Sequence, residues 1–197
     1  MFTQRFSPAR LFGYVALALI AASPLTLRAA APNAGPSATE ILQHAESQAR
    51  AQHKNIMLDF GASWCINCKL YDRMLNDPSI GGILNRHFIF ITMNTGERPN
   101  DSRHANTPGG IAFENSIGGK SAGWPFLVIL SADGKPLVDS NRPDPRSDSG
   151  KSNIGYPVAP EEVDWFVTML RRSTPSFSEH DLDTVHAWLT AQAARLH

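Results

Sequence analysis

The sequence predicts an α/β fold, in which a central four-stranded mixed sheet is flanked by helices and followed by an extra C-terminal helix. Two observations support this prediction. Short apolar segments typical of buried strands alternate with segments whose apolar residues recur at helical spacing. The chain has 197 residues, of which 42% are hydrophobic, and this is enough for one domain with its own core.

Residues 1–31 are expected to be a signal peptide rather than part of the fold. Two arginines precede an apolar segment at 11–22 that is too short to span a bilayer comfortably, and small residues follow at 29–31. Residues 32–36 form a predicted linker. The pattern therefore predicts export to the periplasm, with an uncleaved membrane anchor as the alternative.

The domain is predicted to span residues 37–197, and its first half to contain three helices and two strands. Ser37 and Glu40 form a capping-box pattern that begins the first helix. The strands are short apolar runs, and Asp77-Pro78 separates the second helix from the third. In order, the predicted elements are a helix from residue 37 to about 53, a strand at 55–60, helices at 65–75 and 79–86, and a strand at 88–93.

The second half is predicted to contain a hairpin and two helices, separated by long loops. The hairpin follows from the Ala-Asp-Gly-Lys turn signal at 132–135, and Pro160 marks a helix start. The loop at 95–123 is either a flap that contacts substrate or a surface insertion, and the insertion is favoured. In order, the predicted elements are the loop at 95–123, strands at 126–131 and 136–140, a second polar loop at 141–157, a helix at 161–172 and an accessory helix at 178–195, which is expected to pack on the fold.

The candidate chemistry lies at Cys65 and Cys68, the two cysteines of the chain. A thiol at a helix N-terminus lies beside unpaired backbone N–H groups, which favour the thiolate and lower the pKa of Cys65. A second thiol one turn later can resolve a mixed disulfide. We therefore expect thiol–disulfide exchange, with Cys65 as the attacking and more exposed sulfur.

Two other interpretations of this pair remain open. A structural disulfide here would close a very small loop and stabilise little. A metal site would need two further ligands, which the spacing of the seven histidines does not supply, although two thiolates would suit Cu(I). No metal ligands are therefore assigned.

Further residues complete a pattern around the cysteines. Asp59 lies inside an otherwise apolar strand, where a buried carboxylate is costly unless it has a task. Trp64 directly precedes Cys65, and Trp124-Pro125 directly precedes the strand at 126–131. Over about residues 37–173, this order of motifs resembles the thioredoxin family, in particular its exported disulfide-isomerase-like and thioredoxin-like subgroup.

The resemblance implies a thioredoxin fold and roles for individual residues. It implies that Asp59 helps to deprotonate Cys68, and that Pro125 is a cis-proline which binds substrate backbone. Trp64 matches an aromatic residue that packs around the site. Trp124 replaces a smaller residue and is expected either to select substrates or simply to cover the core.

These observations predict a periplasmic thiol–disulfide oxidoreductase that needs no organic cofactor. Its partners would be protein thiols and disulfides, together with an upstream dithiol electron donor or acceptor. The 18 Lys and Arg residues balance 18 Asp and Glu residues, so no nucleic-acid partner is expected, and membrane contact is expected only through an uncleaved signal segment. The alternative is a non-catalytic binding module, such as a Cu(I) carrier or a redox-inert adaptor.

Overall fold

The central sheet has four strands in the order β2–β1–β3–β4. A computed structural model describes residues 35–196, so the predicted signal peptide and most of the predicted linker lie outside the described residues. β1 pairs with β2 in parallel and with β3 antiparallel, and β3 pairs with β4 antiparallel. The strands are β1 Asn55–Gly61, β2 Phe88–Asn94, β3 Phe126–Leu130 and β4 Pro136–Asp139. The predicted mixed sheet is therefore confirmed, with strand ends shifted by one residue.

Six helices surround this sheet within the described residues. The capping box predicted at Ser37 and Glu40 is present and begins α1. Asp77 caps α3, whose first residue is Pro78. The helices are α1 Ala38–Gln52, α2 Ile66–Leu75, α3 Pro78–Asn85, α4 Gly110–Ser116, α5 Pro160–Ser173 and α6 Glu179–Ala193. Among residues 35–196, no helix is both long and apolar enough to cross a membrane.

Apolar clusters cover both faces of the sheet, so β1 is buried throughout almost its whole length. Ile56, Leu58 and Phe60 face the cluster that contains α1, whereas Met57 faces the cluster that contains α2, α5 and α6. Because side chains alternate along a strand, Asp59 lies on the same face as Met57. The strand therefore directs this carboxyl towards the helix that carries the cysteines.

The accessory helix α6 packs into the main core, as expected. Leu182, Val185 and Leu189 are almost fully buried in the cluster that also contains α2 and α5. Arg86, the C-cap residue of α3, forms an ion pair at 2.8 Å with Asp181 of α6. The helix thus extends the core of the domain.

The predicted loop at 141–157 contains regular structure that the sequence did not indicate. Two short strands, β5 Asn141–Pro143 and β6 Lys151–Asn153, pair antiparallel. The Asp144 carboxylate stabilises this ribbon by accepting hydrogen bonds from the Arg146 N–H and the Ser152 hydroxyl, and by pairing with Arg142. The polar residues that suggested a solvated loop therefore bond to one another.

Candidate active site

Cys65 is the N-cap of α2, and its Sγ accepts a hydrogen bond from the backbone N–H of Cys68 at 3.1 Å. The two cysteines are joined by a disulfide in this structure. When the pair is reduced, a thiolate at Cys65 would keep this N–H donor and the positive end of the helix dipole. The sequence prediction that the pair begins a helix is confirmed.

Both cysteines are buried in this oxidised structure, so the expectation that Cys65 is the more exposed thiol of the reduced pair stays a prediction. Cys65 is 5% exposed and Cys68 is 8% exposed, because the indole of Trp124 packs against the pair. The cysteines differ instead in the cavities that they line. Cys65 lines a surface cleft with Trp64, whereas Cys68 lines a smaller polar cavity with Asp59.

Asp59 is almost fully buried beneath the cysteines, with 4% of its surface exposed. Its carboxylate accepts a hydrogen bond from Thr92 Oγ1 at 2.8 Å, and Thr92 lies opposite it in the β1–β2 pair. Burial raises the pKa of Asp59 to about 7; the Thr92 hydrogen bond opposes this shift, and the negative charge of Asp72 adds to it. A carboxyl with this pKa can accept and release a proton near neutral pH.

The cavity between Asp59 and Cys68 has a volume of about 140 Å³ and is also lined by Lys69 and Asp72. A water molecule needs only about 10–15 Å³ of such space, so water can connect the carboxyl to the sulfur. Gly61 forms part of the wall, and a β-carbon there would lie 2.9 Å from the Cys68 sulfur. The missing side chain at Gly61 thus allows Cys68 to pack directly against β1.

Two indoles form the cleft beside Cys65. Trp64 and Trp124 meet edge to face, with ring centroids 5.7 Å apart, and Ile66 and Asn67 complete the cleft. Trp64 is 41% exposed and Ile66 is 73% exposed, and both side chains line the cleft. This exposed apolar surface next to the Cys65 sulfur is suited to contact with another polypeptide.

The beginning of the 95–123 segment contacts this cleft directly. Trp64 Nε1 donates to the Gly96 carbonyl at 2.8 Å, and the Arg98 guanidinium lies over the Trp64 ring at 5.4 Å. The buried Glu97 carboxylate accepts hydrogen bonds from the N–H and hydroxyl of Ser63. The segment is therefore more than the surface insertion that the sequence favoured, because it holds the residues that precede Cys65.

The same segment supports Trp124 from below. A β-carbon at Gly96 would lie 2.7 Å from the indole, so only glycine leaves room for the ring. The Glu114 carboxyl of α4 is buried beside Trp124 and Thr95, and burial raises its pKa while these two side chains partly oppose the shift. Neither Trp124 Nε1 nor Thr95 Oγ1 reaches good hydrogen-bond geometry with any described residue.

The peptide bond between Trp124 and Pro125 is cis. The carbonyls on either side of Trp124 accept hydrogen bonds from Asn153 Nδ2, at 2.6 Å for Gly123 and 3.0 Å for Pro125. Within residues 35–196, the backbone N–H and C=O of Trp124 itself have no hydrogen-bond partner. This segment, Gly123 to Pro125, is called the proline turn below.

One cluster of possible metal ligands occurs among the described residues, at Glu97, Asp101 and His104. Its carboxylates are already engaged, since Glu97 bonds to Ser63 and Asp101 bonds to His104. The cysteine pair is a disulfide here and cannot supply thiolate ligands in this state.

Glu97, Glu114 and Asn153 were absent from the sequence prediction. Each lies in a segment that the sequence predicted as a long loop, and each contacts the site only through the tertiary fold. No signal in the sequence distinguished them from solvated loop residues.

Comparison with known proteins assigns the chain to a family. The model of the family Thioredox_DsbH, described as a protein of unknown function, DUF255, matches residues 28–155. The chain belongs to the Thioredox_DsbH family. This assignment and the four-stranded mixed sheet confirm the predicted thioredoxin fold.

Three solved structures show some similarity to this member of the Thioredox_DsbH family. A disulphide isomerase from Xylella fastidiosa Temecula1 is 23% identical over 50% of this chain and 69% of its own, with a TM-score of 0.41. A "DsbH Oxidoreductase" is 23% identical over 76% of this chain and 95% of its own (TM-score 0.39). The oxidised C-terminal domain of DsbD from Neisseria meningitidis is 24% identical over 69% of this chain and 99% of its own (TM-score 0.39). No curated protein matches the chain.

Proposed function

We propose that the chain is a thiol–disulfide oxidoreductase that exchanges electrons with protein disulfides through Cys65 and Cys68. The observation that carries this proposal is the position of the pair: it begins α2, and the carboxyl of Asp59 lines the same cavity as Cys68. A structural disulfide would not require a buried carboxyl of raised pKa beside it. Groups with such shifts are typical of functional sites.

In the proposed reaction, the Cys65 thiolate attacks one sulfur of a substrate disulfide. A mixed disulfide forms, and the other substrate sulfur leaves as a thiolate. Cys68 then transfers its proton to Asp59 and attacks the Cys65 sulfur, which releases the second substrate thiolate. Two electrons have passed from the cysteine pair to the substrate, and a partner dithiol reduces the Cys65–Cys68 disulfide again. The reverse sequence oxidises a substrate dithiol.

Substrate binding is assigned to Trp64, Trp124 and Pro125. The indoles of Trp64 and Trp124 offer an apolar surface beside Cys65, and the unpaired backbone groups of Trp124 can bond to an extended chain as an added strand does. This arrangement suits an unfolded or flexible polypeptide better than a compact small molecule.

The proposal is tested by the turbidity that insulin develops when dithiothreitol reduces it. The wild-type protein should accelerate the reaction, and Cys65→Ser and Cys68→Ser should both abolish the acceleration. A wild-type rate equal to that of dithiothreitol alone would refute the proposal. The copper content of the reduced protein, measured in the same preparation, distinguishes an oxidoreductase from a Cu(I) carrier.

Export to the periplasm is also proposed, and it rests on the charge and apolar pattern of residues 1–31. Fusion of these residues to a reporter enzyme that is active only after export should give an active reporter in a bacterial host. A matched fusion that begins at residue 32 should remain inactive. Equal reporter activity from both fusions would contradict the assignment.

A further inference from the structure

Asn153 lies 28 residues from Pro125 in sequence, yet it is the residue that holds the proline turn. Its Nδ2 donates to the carbonyls of Gly123 and Pro125, and these two carbonyls flank Trp124 on both sides. Both N–H groups of the Asn153 amide therefore donate to the proline turn, the segment assigned to substrate binding.

The orientation of the Asn153 amide is determined by its partners. Carbonyl oxygens only accept hydrogen bonds, so the nitrogen must face Gly123 and Pro125. The oxygen faces the other way and accepts from the Ser140 hydroxyl at 2.6 Å and the Gly155 N–H at 3.3 Å. A flipped amide would place three acceptor oxygens together.

Ser140 anchors this network to the central sheet. It is fully buried directly after β4, and its Oγ accepts the backbone N–H of Leu127 in β3 at 2.8 Å. The Ser140 carbonyl accepts the N–H of Ile154, the residue after Asn153. The proline turn is thus connected through Asn153 and Ser140 to β3, which begins directly after Pro125.

The contact also determines where the Trp124 backbone points. In a trans peptide unit, the C=O and N–H groups point in opposite directions. The Gly123 carbonyl points at Asn153, so the N–H of Trp124, in the same peptide unit, points away from Asn153 and has no partner among the described residues. Asn153 therefore presents this N–H to an incoming chain.

We propose that Asn153 is a positioning residue for substrate: its side chain fixes the proline turn so that the Trp124 backbone can pair with the polypeptide whose disulfide meets Cys65. This inference rests on the proposed function. It does not assign chemistry to Asn153, because the side chain touches neither sulfur. A fixed proline turn would also favour the binding of a peptide that carries no disulfide.

Asn153→Asp is the most informative variant. It keeps the size of the side chain and the acceptor for Ser140, but it replaces both donors with an oxygen that repels the Gly123 and Pro125 carbonyls. Asn153→Ala removes the donors without adding charge and is the second variant if Asn153→Asp does not fold. Asn141 lies opposite Asn153 in the β5–β6 pair and donates to Gly118 rather than to the proline turn, so Asn141→Ala is the matched control.

Two readouts separate the positioning role from a general loss of structure. The first is the Kd, by calorimetry, of an insulin B-chain peptide with serine in place of cysteine, measured on the oxidised protein. The second readout is kinetic: kcat and KM are measured for insulin reduction and compared with the rate of reaction with a small aromatic disulfide. Asn153→Asp should raise both the Kd and the KM about tenfold, as expected for the loss of well-placed hydrogen bonds. It should leave kcat and the small-disulfide rate within about twofold, and Asn141→Ala should match the wild type.

Three results would overturn the inference: an unchanged Kd in both Asn153 variants, equal losses on insulin and the small disulfide, or no binding of the peptide by the wild type. The proposed function fails differently, through a wild-type protein that binds the peptide but does not reduce insulin. In that case the Kd values of the Asn153 variants still decide the positioning role.

Discussion

Asp59→Asn should make the oxidised protein more stable at alkaline pH and should change its stability little at acid pH. Burial raises the pKa of Asp59 from an ordinary 3.8 to about 7. Between these two values the folded protein holds a proton that the unfolded chain has already released. The wild-type free energy of unfolding must therefore fall as pH rises through this interval, and it stays low above about pH 7.

The size of this fall follows from the two pKa values. Each pH unit between them corresponds to about 1.4 kcal/mol, so the full interval corresponds to about 4 kcal/mol. Asparagine does not ionise, and its side-chain oxygen can still accept the hydrogen bond from Thr92. The stability of Asp59→Asn relative to wild type should therefore increase by about 4 kcal/mol between about pH 3 and about pH 8.

Urea unfolding of the two oxidised proteins, followed by circular dichroism at a series of pH values, measures this difference. The control is Asp148→Asn, which changes an exposed carboxylate in the β5–β6 turn and should leave the pH dependence as in wild type. If the free energies of wild type and Asp59→Asn run parallel across the whole pH range, the Asp59 carboxyl is not desolvated and the reasoning fails.

Three further variants test neighbouring parts of the site. Asp72→Asn removes a like charge and should lower the pKa of Asp59, by a smaller amount than burial raises it. Carboxyl NMR titration measures this pKa, and an unchanged midpoint would mean that the two groups do not interact. Gly61→Ala should displace the Cys68 sulfur and slow the release of a mixed disulfide by about tenfold or more in stopped-flow experiments. An unaltered rate would show that the cavity beside Cys68 accommodates the added methyl group without moving the sulfur. Trp124→Ala should raise the KM for insulin but spare the reaction with a small aromatic disulfide, whereas equal losses on both would make the ring a support for the site.

The parts of the site that the sequence predicted are those with local signals. The cysteine pair begins a helix directly after an apolar strand, and the chain order of strand, turn and helix was visible in consecutive residues. Asp59 was conspicuous because an acid interrupted an apolar run. The fold followed from the same alternation of apolar segments. The structure shifted the element ends and placed α4 in the predicted loop at 95–123 and β5 and β6 in the predicted loop at 141–157.

The remainder of the site depends on contacts between distant residues. Glu97 bonds to Ser63 across 34 positions, and Asn153 reaches Pro125 across 28. Both occur in polar, glycine-containing segments, which have the composition of solvated loops. The burial of Cys65 escaped prediction for a similar reason, because the indole that covers it arrives from the other end of the 95–123 segment.

The central claim is that Cys65 attacks the substrate and Cys68 resolves the mixed disulfide. Mass spectrometry of reduced Cys68→Ser after reaction with a peptide disulfide tests this claim most directly. We expect a stable adduct of one peptide on Cys65, no corresponding adduct on Cys65→Ser at the same reaction time, and no lasting adduct on the wild type. An adduct that forms faster on Cys68 in Cys65→Ser than on Cys65 in Cys68→Ser would contradict the account.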